Sequence, residues 1–236
     1  MRLHRPLLAL ASGFVLTFAY PRWNVEVLVW FWMLPLLYAL WSGEREEYTR
    51  PKVKWQGWRR TFPYLFSLVP YPFRLGYLAG LAFFIPNLAW IRHSSRVISG
   101  AVGDEWMGWG VELMGMAAVM ALSCYLALYW GAWATFAAGI GRPSLKVDGK
   151  TGPADRTRPF SVSIASLRSA LLNAAAWVGL EWARGIVLTG FPWNGLGVAL
   201  HRQTAVIQSA DLVGVTGASA VVSARAQKRD RVVPAA

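Results

Sequence analysis

The sequence predicts an all-α fold, a polytopic bundle of about six transmembrane helices, from three observations. Hydrophobic residues make up 55% of the 236 residues and charged residues only 15%, whereas a soluble domain carries about 25% charged residues. The charges are concentrated in a few segments between long apolar runs. Several of those runs reach the ~20 residues that a helix needs to cross a bilayer. Residues 1–222 are therefore predicted to form a membrane domain, and residues 223–236 a basic, disordered tail.

Six apolar segments are predicted as spans. They are residues 7–20, 25–41, 73–91, 106–140, 170–188 and 206–222. The fourth segment is longer than the hydrocarbon core requires, so it must tilt or begin outside the core. Two connecting segments differ from ordinary loops. Residues 61–72 contain three prolines, which predicts an interfacial or re-entrant segment, and residues 141–166, rich in Gly, Pro, Ser and charge, predict a partly disordered loop.

The basic residues predict the orientation of the bundle. With six spans, eighteen Lys and Arg side chains fall on one side of the membrane and four on the other. Because Lys and Arg accumulate in cytoplasmic loops, both termini are predicted to be cytoplasmic. The net charge of +12 is then explained by topology and by attraction to anionic lipid headgroups. It does not indicate a nucleic-acid partner, since the basic residues form no separate basic domain.

Catalytic residues are not evident in the sequence. The single cysteine, Cys124, lies in the apolar run of residues 121–128, and apolar surroundings disfavour the thiolate that a nucleophile requires. One cysteine also provides neither an intrachain disulfide nor a cysteine-based metal cluster. There is no Gly-rich phosphate loop, no G-x-S-x-G elbow and no H-E-x-x-H pattern. The sequence therefore predicts no catalytic residue, no metal ligand and no cofactor site.

Charged residues inside a predicted span are costly, so Glu181 and Arg184 are the first candidates for a functional site. They lie three residues apart in the fifth span, on one helix face, where they are predicted to pair. The functional interpretation is a polar anchor for a lipid headgroup or for the loop that follows. The structural alternative is an ion pair that fixes helix packing.

Two further groups of residues are candidates. The loop Phe191-Pro192-Trp193-Asn194 follows the fifth span and combines aromatic side chains with a proline. It is interpreted as shaping a lipid-facing groove, the alternative being an ordinary aromatic belt at the interface. In the sixth span, Gln208 and Asp211 lie three residues apart and are predicted to bond a neighbouring helix or to line a water-filled cavity.

Three stretches of this sequence resemble the apolipoprotein N-acyltransferase family. Residues 177–197 read WVGLEWARGIVLTGFPWNGLG, residues 207–219 read IQSADLVGVTGAS, and residues 76–91 read GYLAGLAFFIPNLAWI. The block that runs from Glu181 and Trp182 to Trp193 is the most specific of the three. The resemblance implies that these family positions shape the bundle or the entry of lipid. They are Glu181, Trp182, Arg184, Phe191, Pro192, Trp193, Asn194, Gln208 and Asp211.

The resemblance also implies an activity. The family consists of multi-pass enzymes of the bacterial inner membrane, which move an acyl chain from a membrane phospholipid to the N-terminal diacylglyceryl-cysteine of a lipoprotein. Its chemistry runs through a cysteine thioester in a nitrilase-like domain outside the membrane, with a Glu-Lys-Cys triad. Such a division fits the polar, preorganised site that a thiolate nucleophile needs.

The sequence departs from the family pattern at its end. Where the family continues into the nitrilase-like domain, residues 220–236 read AVVSARAQKRDRVVPAA, which suggests a frameshift or a truncation. The triad carries over to no position, so this polypeptide alone is expected to lack acyltransferase activity. One alternative is a non-enzymatic membrane module that serves a separately encoded nitrilase-like subunit. Another is a small transporter with Glu181 and Arg184 in its pathway.

Overall fold

The computed structural model of the chain describes residues 4–42, 69–102, 105–142, 164–208 and 210–229. All regular structure within these ranges is helical, which confirms the predicted all-α class there. The α-helices are α1 (His4–Thr17), α2 (Met33–Trp41), α3 (Tyr71–Asn87), α4 (Ala89–Val102), α5 (Glu105–Ala138), α6 (Ile164–Arg184), α7 (Thr204–Ile207) and α8 (Ala210–Arg229). Short 3₁₀ turns occupy Glu26–Trp30, Val187–Thr189 and Leu196–Leu200.

Two stretches of the described chain are long and apolar enough to cross a membrane. They are Tyr71–Ala101 and Trp106–Ala138, of which the first contains the predicted third span and the second covers the predicted fourth span except residues 139–140. Helices α1 and α2 have 14 and 9 residues and rise only ~21 Å and ~14 Å, less than the ~30 Å hydrocarbon core. The beginning of the predicted second span forms the turn Glu26–Trp30. Two candidate spans are therefore observed, and the count of six stays a prediction.

The segment that follows the predicted third span is helical rather than a loop. Pro86 lies inside α3, and the helix ends one residue later at Asn87, as expected for a residue that removes a backbone donor and clashes with the preceding turn. After Leu88 the chain resumes as α4, which packs along the first half of α5. Helix α4 is amphipathic, so a window that scores hydrophobicity alone does not detect it.

Glycines allow α3 and α5 to pack closely. A Cβ added at Gly80 would lie 2.9 Å from the Cα of Ala127, and one at Gly76 would collide with the backbone oxygen of Trp130. The spacing of Gly76 and Gly80 is the small-x-x-x-small pattern by which helix backbones approach each other in membranes. Gly13 similarly places α1 against the backbone of Ala79. These three helices therefore form the tightly packed centre of the bundle.

An aromatic cluster fills the middle of the bundle. The ring centroids of Trp32, Trp130 and Trp177 lie 4.9 to 5.5 Å from one another. Phe83 stacks on Trp130 at 5.3 Å, and Trp133 meets Trp177 edge-on at 5.2 Å. All five rings are buried. Such pairs contribute roughly 0.5–1.5 kcal/mol each beyond the area they bury, so they join the helices that supply them.

The bundle has two ends, which we call the Asn173 end and the loop end. At the Asn173 end, the Asn173 amide donates to the Gly141 carbonyl at 2.8 Å. The Trp41 indole donates to the Ala137 carbonyl at 3.0 Å, and Arg142 donates to the Trp41 carbonyl at 2.7 Å. The loop end contains the turn after α1 and the segment 185–196, and it is described in the next subsection.

Several predicted segments lie partly or wholly outside the described residues. This applies to 61–68 of the predicted interfacial segment, to 143–163 of the predicted loop, and to 230–236 of the predicted tail. Helix α8 continues to Arg229, so its helical structure extends past the predicted start of the tail at residue 223. The predicted sixth span is divided between α7 and α8, and α8 contains a non-helical residue, Gly214, with φ of +70°.

Candidate functional site

Glu181 joins the last turn of α6 to the loop that follows. One carboxylate oxygen, Oε1, accepts hydrogen bonds from the Trp177 indole at 2.9 Å and from the backbone amide of Leu196 at 2.7 Å. Leu196 is the first residue of the turn Leu196–Leu200, and the first amides of a helical turn have no partner within it. Glu181 therefore caps this turn from a neighbouring helix and holds the loop against α6.

Tyr20 holds the same loop from the other side. It ends the turn after α1 and is almost fully buried. Its hydroxyl lies 3.1 Å from the Asn194 carbonyl and 3.0 Å from the Gly195 carbonyl, so its single proton is shared between two acceptors. The loop between Gly185 and Leu196 is thus fixed by a carboxylate from α6 and a phenol from the N-terminal hairpin.

The backbone of this loop is closed and strained. The Phe191 amide donates to the Arg184 carbonyl at 2.9 Å, which folds the loop back on the end of α6. Gly190 has φ of +79°, and a Cβ there would collide with the Gly185 carbonyl. Three other loop residues have positive φ without being glycine, namely Leu188 (51°), Thr189 (72°) and Asn194 (53°). Such conformations cost of order 1–3 kcal/mol each and concentrate at functional sites.

Arg184 is buried but does not form the predicted ion pair with Glu181. Its exposed fraction is 3%, and its guanidinium lies 5.6 Å from the ring centroid of Phe84, a cation–π distance. Among the described residues its Nε has no hydrogen-bond partner, and no nitrogen–oxygen contact within 4.0 Å joins it to Glu181. The prediction from the i,i+3 spacing is therefore wrong, because the Glu181 carboxylate is turned toward Trp177 and Leu196.

A narrow cleft lies beside Arg184. It is lined by Tyr129, Trp130, Trp133, Trp177, Leu180, Glu181 and Arg184. It has room for about one water molecule, so it holds neither an acyl chain nor a lipid headgroup in this conformation. Near it, the Tyr125 and Tyr129 hydroxyls are 2.7 Å apart, and Tyr125 donates to the Val187 carbonyl at 3.1 Å. The cleft is thus mostly aromatic, with one cation and one carboxylate at its wall.

The aromatic residues of the predicted loop lie at the surface. Trp182 is 64% exposed, and Trp193 is 46% exposed and packs on Trp90 with a centroid distance of 5.2 Å. Phe191 is partly buried, 6.2 Å from Trp193, and Pro192 is exposed. Exposed Trp side chains at one end of a bundle are typical of the aromatic belt at a membrane interface, which was the alternative interpretation of this loop.

Gln208 and Asp211 lie apart from the Glu181 site. Both side chains are exposed, and the backbone amide of Asp211 donates to the Gln208 carbonyl at 3.3 Å. The sequence predicted a hydrogen bond from these side chains to a neighbouring helix, and no such bond is seen within the described part of the chain. Asp211 lies in the first turn of α8, where a carboxylate interacts favourably with the helix dipole.

Side chains that could bind a metal or act as a nucleophile are dispersed among the described residues. In the residues that the structure describes, no three His, Cys, Asp or Glu side chains come together as a metal site. Cys124 lies within α5 and is partly buried. His93 is exposed on α4. The site therefore offers positioning and electrostatic groups rather than a nucleophile with its base.

Three residues of the site were not identified from the sequence. Trp177 lies four residues before Glu181, so the shared helix face could have indicated that contact. Tyr20 lies 174 residues from its acceptor Asn194, and Leu196 lies 15 residues from Glu181. Both contacts form only because the chain folds back on itself. Spacing along the sequence carries no signal for such contacts.

The described residues define a helical bundle with two candidate membrane spans and a buried polar network at one end. The model of the apolipoprotein N-acyltransferase N-terminal domain matches residues 12–226. The chain therefore belongs to the apolipoprotein N-acyltransferase family, which confirms the resemblance seen in the sequence. The match contains the Glu181 network and most of the described helices.

Individual relatives agree with the family model. The chain is 27% identical over 217 residues to an apolipoprotein N-acyltransferase of Geobacter metallireducens, which covers 92% of this chain and 31% of the relative. It is 29% identical over 154 residues to one of Rhizobium etli and 32% identical over 151 residues to one of Ralstonia nicotianae. Those two alignments cover 63% of this chain and 22% and 23% of the relatives. The chain thus spans between about a fifth and a third of its curated relatives.

Proposed function

We propose that this chain is the membrane domain of an apolipoprotein N-acyltransferase, multi-pass in the bacterial inner membrane. The observation that carries the proposal is the family match over residues 12–226, because it covers the candidate spans and the Glu181 network together. In this role the bundle gives acyl chains access from the bilayer. The loop end faces the compartment in which a nitrilase-like domain transfers the chain from phospholipid to the lipoprotein amine.

The contacts between helices support a topology with both termini in the cytoplasm. Trp41, Ala137 and Arg142 meet at the Asn173 end, whereas Tyr20 and Asn194 meet at the loop end. The chain therefore passes between the two ends several times, as alternating spans require. The segments of residues 43–68 and 143–163, which are rich in Lys and Arg, both leave the bundle from the Asn173 end, where the positive-inside rule places the cytoplasm.

A cysteine-labelling experiment tests this topology. In a Cys124→Ser background, one variant carries Trp193→Cys and another a single cysteine added after Ala236. Intact spheroplasts are treated with a membrane-impermeant maleimide. The cysteine at 193 should be labelled at once, and the C-terminal cysteine only after the membrane is opened. Immediate labelling of the C-terminal cysteine would refute the proposed orientation.

We further propose that these 236 residues do not transfer an acyl chain by themselves. The only thiol, that of Cys124, lies within helix α5 and lacks the base and cationic partner that activate a nucleophilic thiolate among the described residues. The test is to incubate the purified chain with phospholipid and a diacylated lipopeptide, with and without an added nitrilase-like domain from a relative. Mass spectrometry should detect N-acylated peptide only when that domain is present. N-acylation by the chain alone, abolished in Cys124→Ser, would contradict the proposal.

Glu181 and Tyr20 act in this function as positioning residues. The support is geometric, since their hydrogen bonds hold the loop of residues 191–196 in place. Arg184 supplies a buried cation at the same end. The residues thus shape the loop end and leave the bond-making steps to another domain.

A further inference from the structure

Helix α4 and the start of α5 form a helical hairpin, which we call the arm (residues 89–102 and 106–116). Small residues line the seam between its two helices. A Cβ added at Gly115 would lie 2.6 Å from the Cβ of Ser95, and one at Gly108 would lie 3.7 Å from the Cβ of Ser99. Arg96 Nε lies 3.6 Å from Glu112 Oε2 across the same seam. Hydroxyls and charges thus occupy the interior of the arm.

Large apolar side chains occupy its outer surface instead. Trp106 is 88% exposed and Met114 73% exposed. The other exposed large apolar residues of the arm are Trp90, Val97, Ile98, Met107, Trp109, Leu113 and Met116. An apolar surface this continuous is unusual on a soluble element and marks an interaction surface.

The surface of the arm is continuous with the surface of the candidate span. Between Trp106 and Ala138 the only charged residue is Glu112, which faces α4. The exposed apolar face of α5 continues from Leu113 through Met120 to Leu128 without a charged side chain. The part around Leu128 belongs to the candidate span, where lipid tails would cover it. Because the surface of the arm continues this apolar face, lipid is the expected neighbour of the arm as well.

The lengths of the helices indicate how lipid can reach the arm. The stretch Trp106–Ala138 has 33 residues and rises ~50 Å. A bilayer is ~30 Å thick in its hydrocarbon core and about 40–45 Å with its headgroups. Tilted by ~40°, the upper part of the observed range, this helix reaches ~38 Å along the membrane normal. The end of the arm then stays within the headgroup region, whereas an upright hairpin would expose Trp106 and Trp109 to water.

We propose that the arm is an interfacial element that lies in the outer leaflet, with its apolar surface against phospholipid. The polar face of α4, on which Arg92 and His93 are exposed, then faces the headgroups and water, the arrangement of amphipathic helices at an interface. Its base is held by the contact of Trp90 with Trp193. This inference rests on the proposed membrane placement, and it assigns the loop end a lipid-contacting surface apart from the cleft at Arg184.

Single cysteines labelled with an environment-sensitive fluorophore test the proposal in the full chain. In the Cys124→Ser background, Leu113→Cys and Ile98→Cys probe the apolar surface of the two arm helices. His93→Cys is the matched control on the polar face of α4, and Leu128→Cys is the reference within the span. The chain is reconstituted in vesicles of phosphatidylethanolamine and phosphatidylglycerol, and quenching by brominated phospholipid is compared with quenching by aqueous iodide.

The expected result is blue-shifted emission and loss of intensity with brominated phospholipid at 113, 98 and 128, and quenching by iodide at 93. Iodide quenching at both 113 and 98 would overturn the proposal, because the arm would then lie in water. Protection from both quenchers would also overturn it, since protein rather than lipid would cover the surface. If the label at 128 is not quenched by brominated phospholipid, the membrane placement itself fails.

Discussion

The two ends of the bundle join chain segments with different chemistry. At the Asn173 end the side-chain donors of Trp41, Asn173 and Arg142 satisfy backbone carbonyls directly. At the loop end a carboxylate, Glu181, and a phenol, Tyr20, hold a loop with several positive φ angles. They lie beside a buried guanidinium that forms no ion pair with the residues the structure describes. Strained backbone and a buried cation are costly to keep, and this cost is why we propose the loop end as the functional one.

The largest effect on this comparison is expected from Glu181→Ala. The substitution leaves the Trp177 indole and the Leu196 amide without their acceptor. Hydrogen bonds to a charged group contribute about 1.5–3 kcal/mol each, so we expect a loss of about 3 kcal/mol or more in the free energy of unfolding. Thermal unfolding in detergent micelles measures it.

Two variants control this experiment. Glu181→Gln keeps an acceptor oxygen and should lose clearly less stability than Glu181→Ala. The double variant Glu181→Ala/Arg184→Met should recover part of the loss, because an apolar side chain replaces the uncompensated cation. If the double variant is as unstable as the sum of its single variants, the two residues are not coupled and the interpretation of the loop end is wrong.

The next largest effect is expected at the Asn173 end, from Asn173→Ala. The Gly141 carbonyl accepts from two side chains, the Asn173 amide and the Ser169 hydroxyl. The variant removes the first of these donors and leaves a cavity in place of a fully buried amide side chain, so we expect a loss of about 1–3 kcal/mol. Ser169→Ala is the matched control, because it removes the second donor to the same carbonyl together with a smaller side chain. Asn173→Ala should lower the unfolding temperature more than Ser169→Ala does, and it should leave proteolysis of the loop at residues 185–196 unchanged. Faster cleavage of that loop would show that the two ends are not independent.

A smaller effect is expected from Tyr20→Phe. The ring still fills its buried site, and only the hydroxyl that serves Asn194 and Gly195 is lost. One neutral hydrogen bond contributes about 0.5–1.5 kcal/mol. Stability should fall by that amount, while limited proteolysis of the loop at residues 185–196 should become faster. Unchanged proteolysis in Tyr20→Phe would mean that the phenol does not hold the loop.

The smallest effect is expected from Arg202→Gln. Arg202 Nε lies 3.7 Å from Glu26 Oε1, but the arginine side chain is 64% exposed. Exposed ion pairs contribute about 0–1 kcal/mol and are screened by salt. Unfolding temperatures of Arg202→Gln and the unaltered chain should therefore converge as salt is raised. A loss that equals the Tyr20→Phe effect and persists at high salt would show that this pair belongs to the loop-end network.

The long apolar runs were sufficient to predict the candidate spans, since α5 and most of α3 lie within them. Helix α4 was missed because its pattern is amphipathic and its stability comes from packing Ser95 and Ser99 against glycines of α5, which are distant in sequence. Glu181 was identified as a polar residue in an apolar run. Its acceptor role was not predictable, because Leu196 comes within 2.7 Å only when the strained loop closes.

The orientation of Glu181 explains why the expected ion pair was wrong. An i,i+3 spacing states that two side chains share a helix face, but not which of several donors one carboxylate will bond. Here two neutral N–H groups compete successfully for Oε1. The general lesson is that a buried carboxylate is predicted more safely to be an acceptor than to be the partner of a particular cation.

The aromatic cluster in the middle of the bundle has a spectroscopic consequence. The indoles of Trp32, Trp130 and Trp177 lie within 5.5 Å of one another, and Trp133 lies 5.2 Å from Trp177. At such separations the electronic transitions of neighbouring indoles mix, so light absorbed by one ring is shared with the others. The packing of these indoles, which joins three separate segments of the chain, thereby gives the folded bundle a near-ultraviolet circular dichroism signal that disappears when those segments come apart.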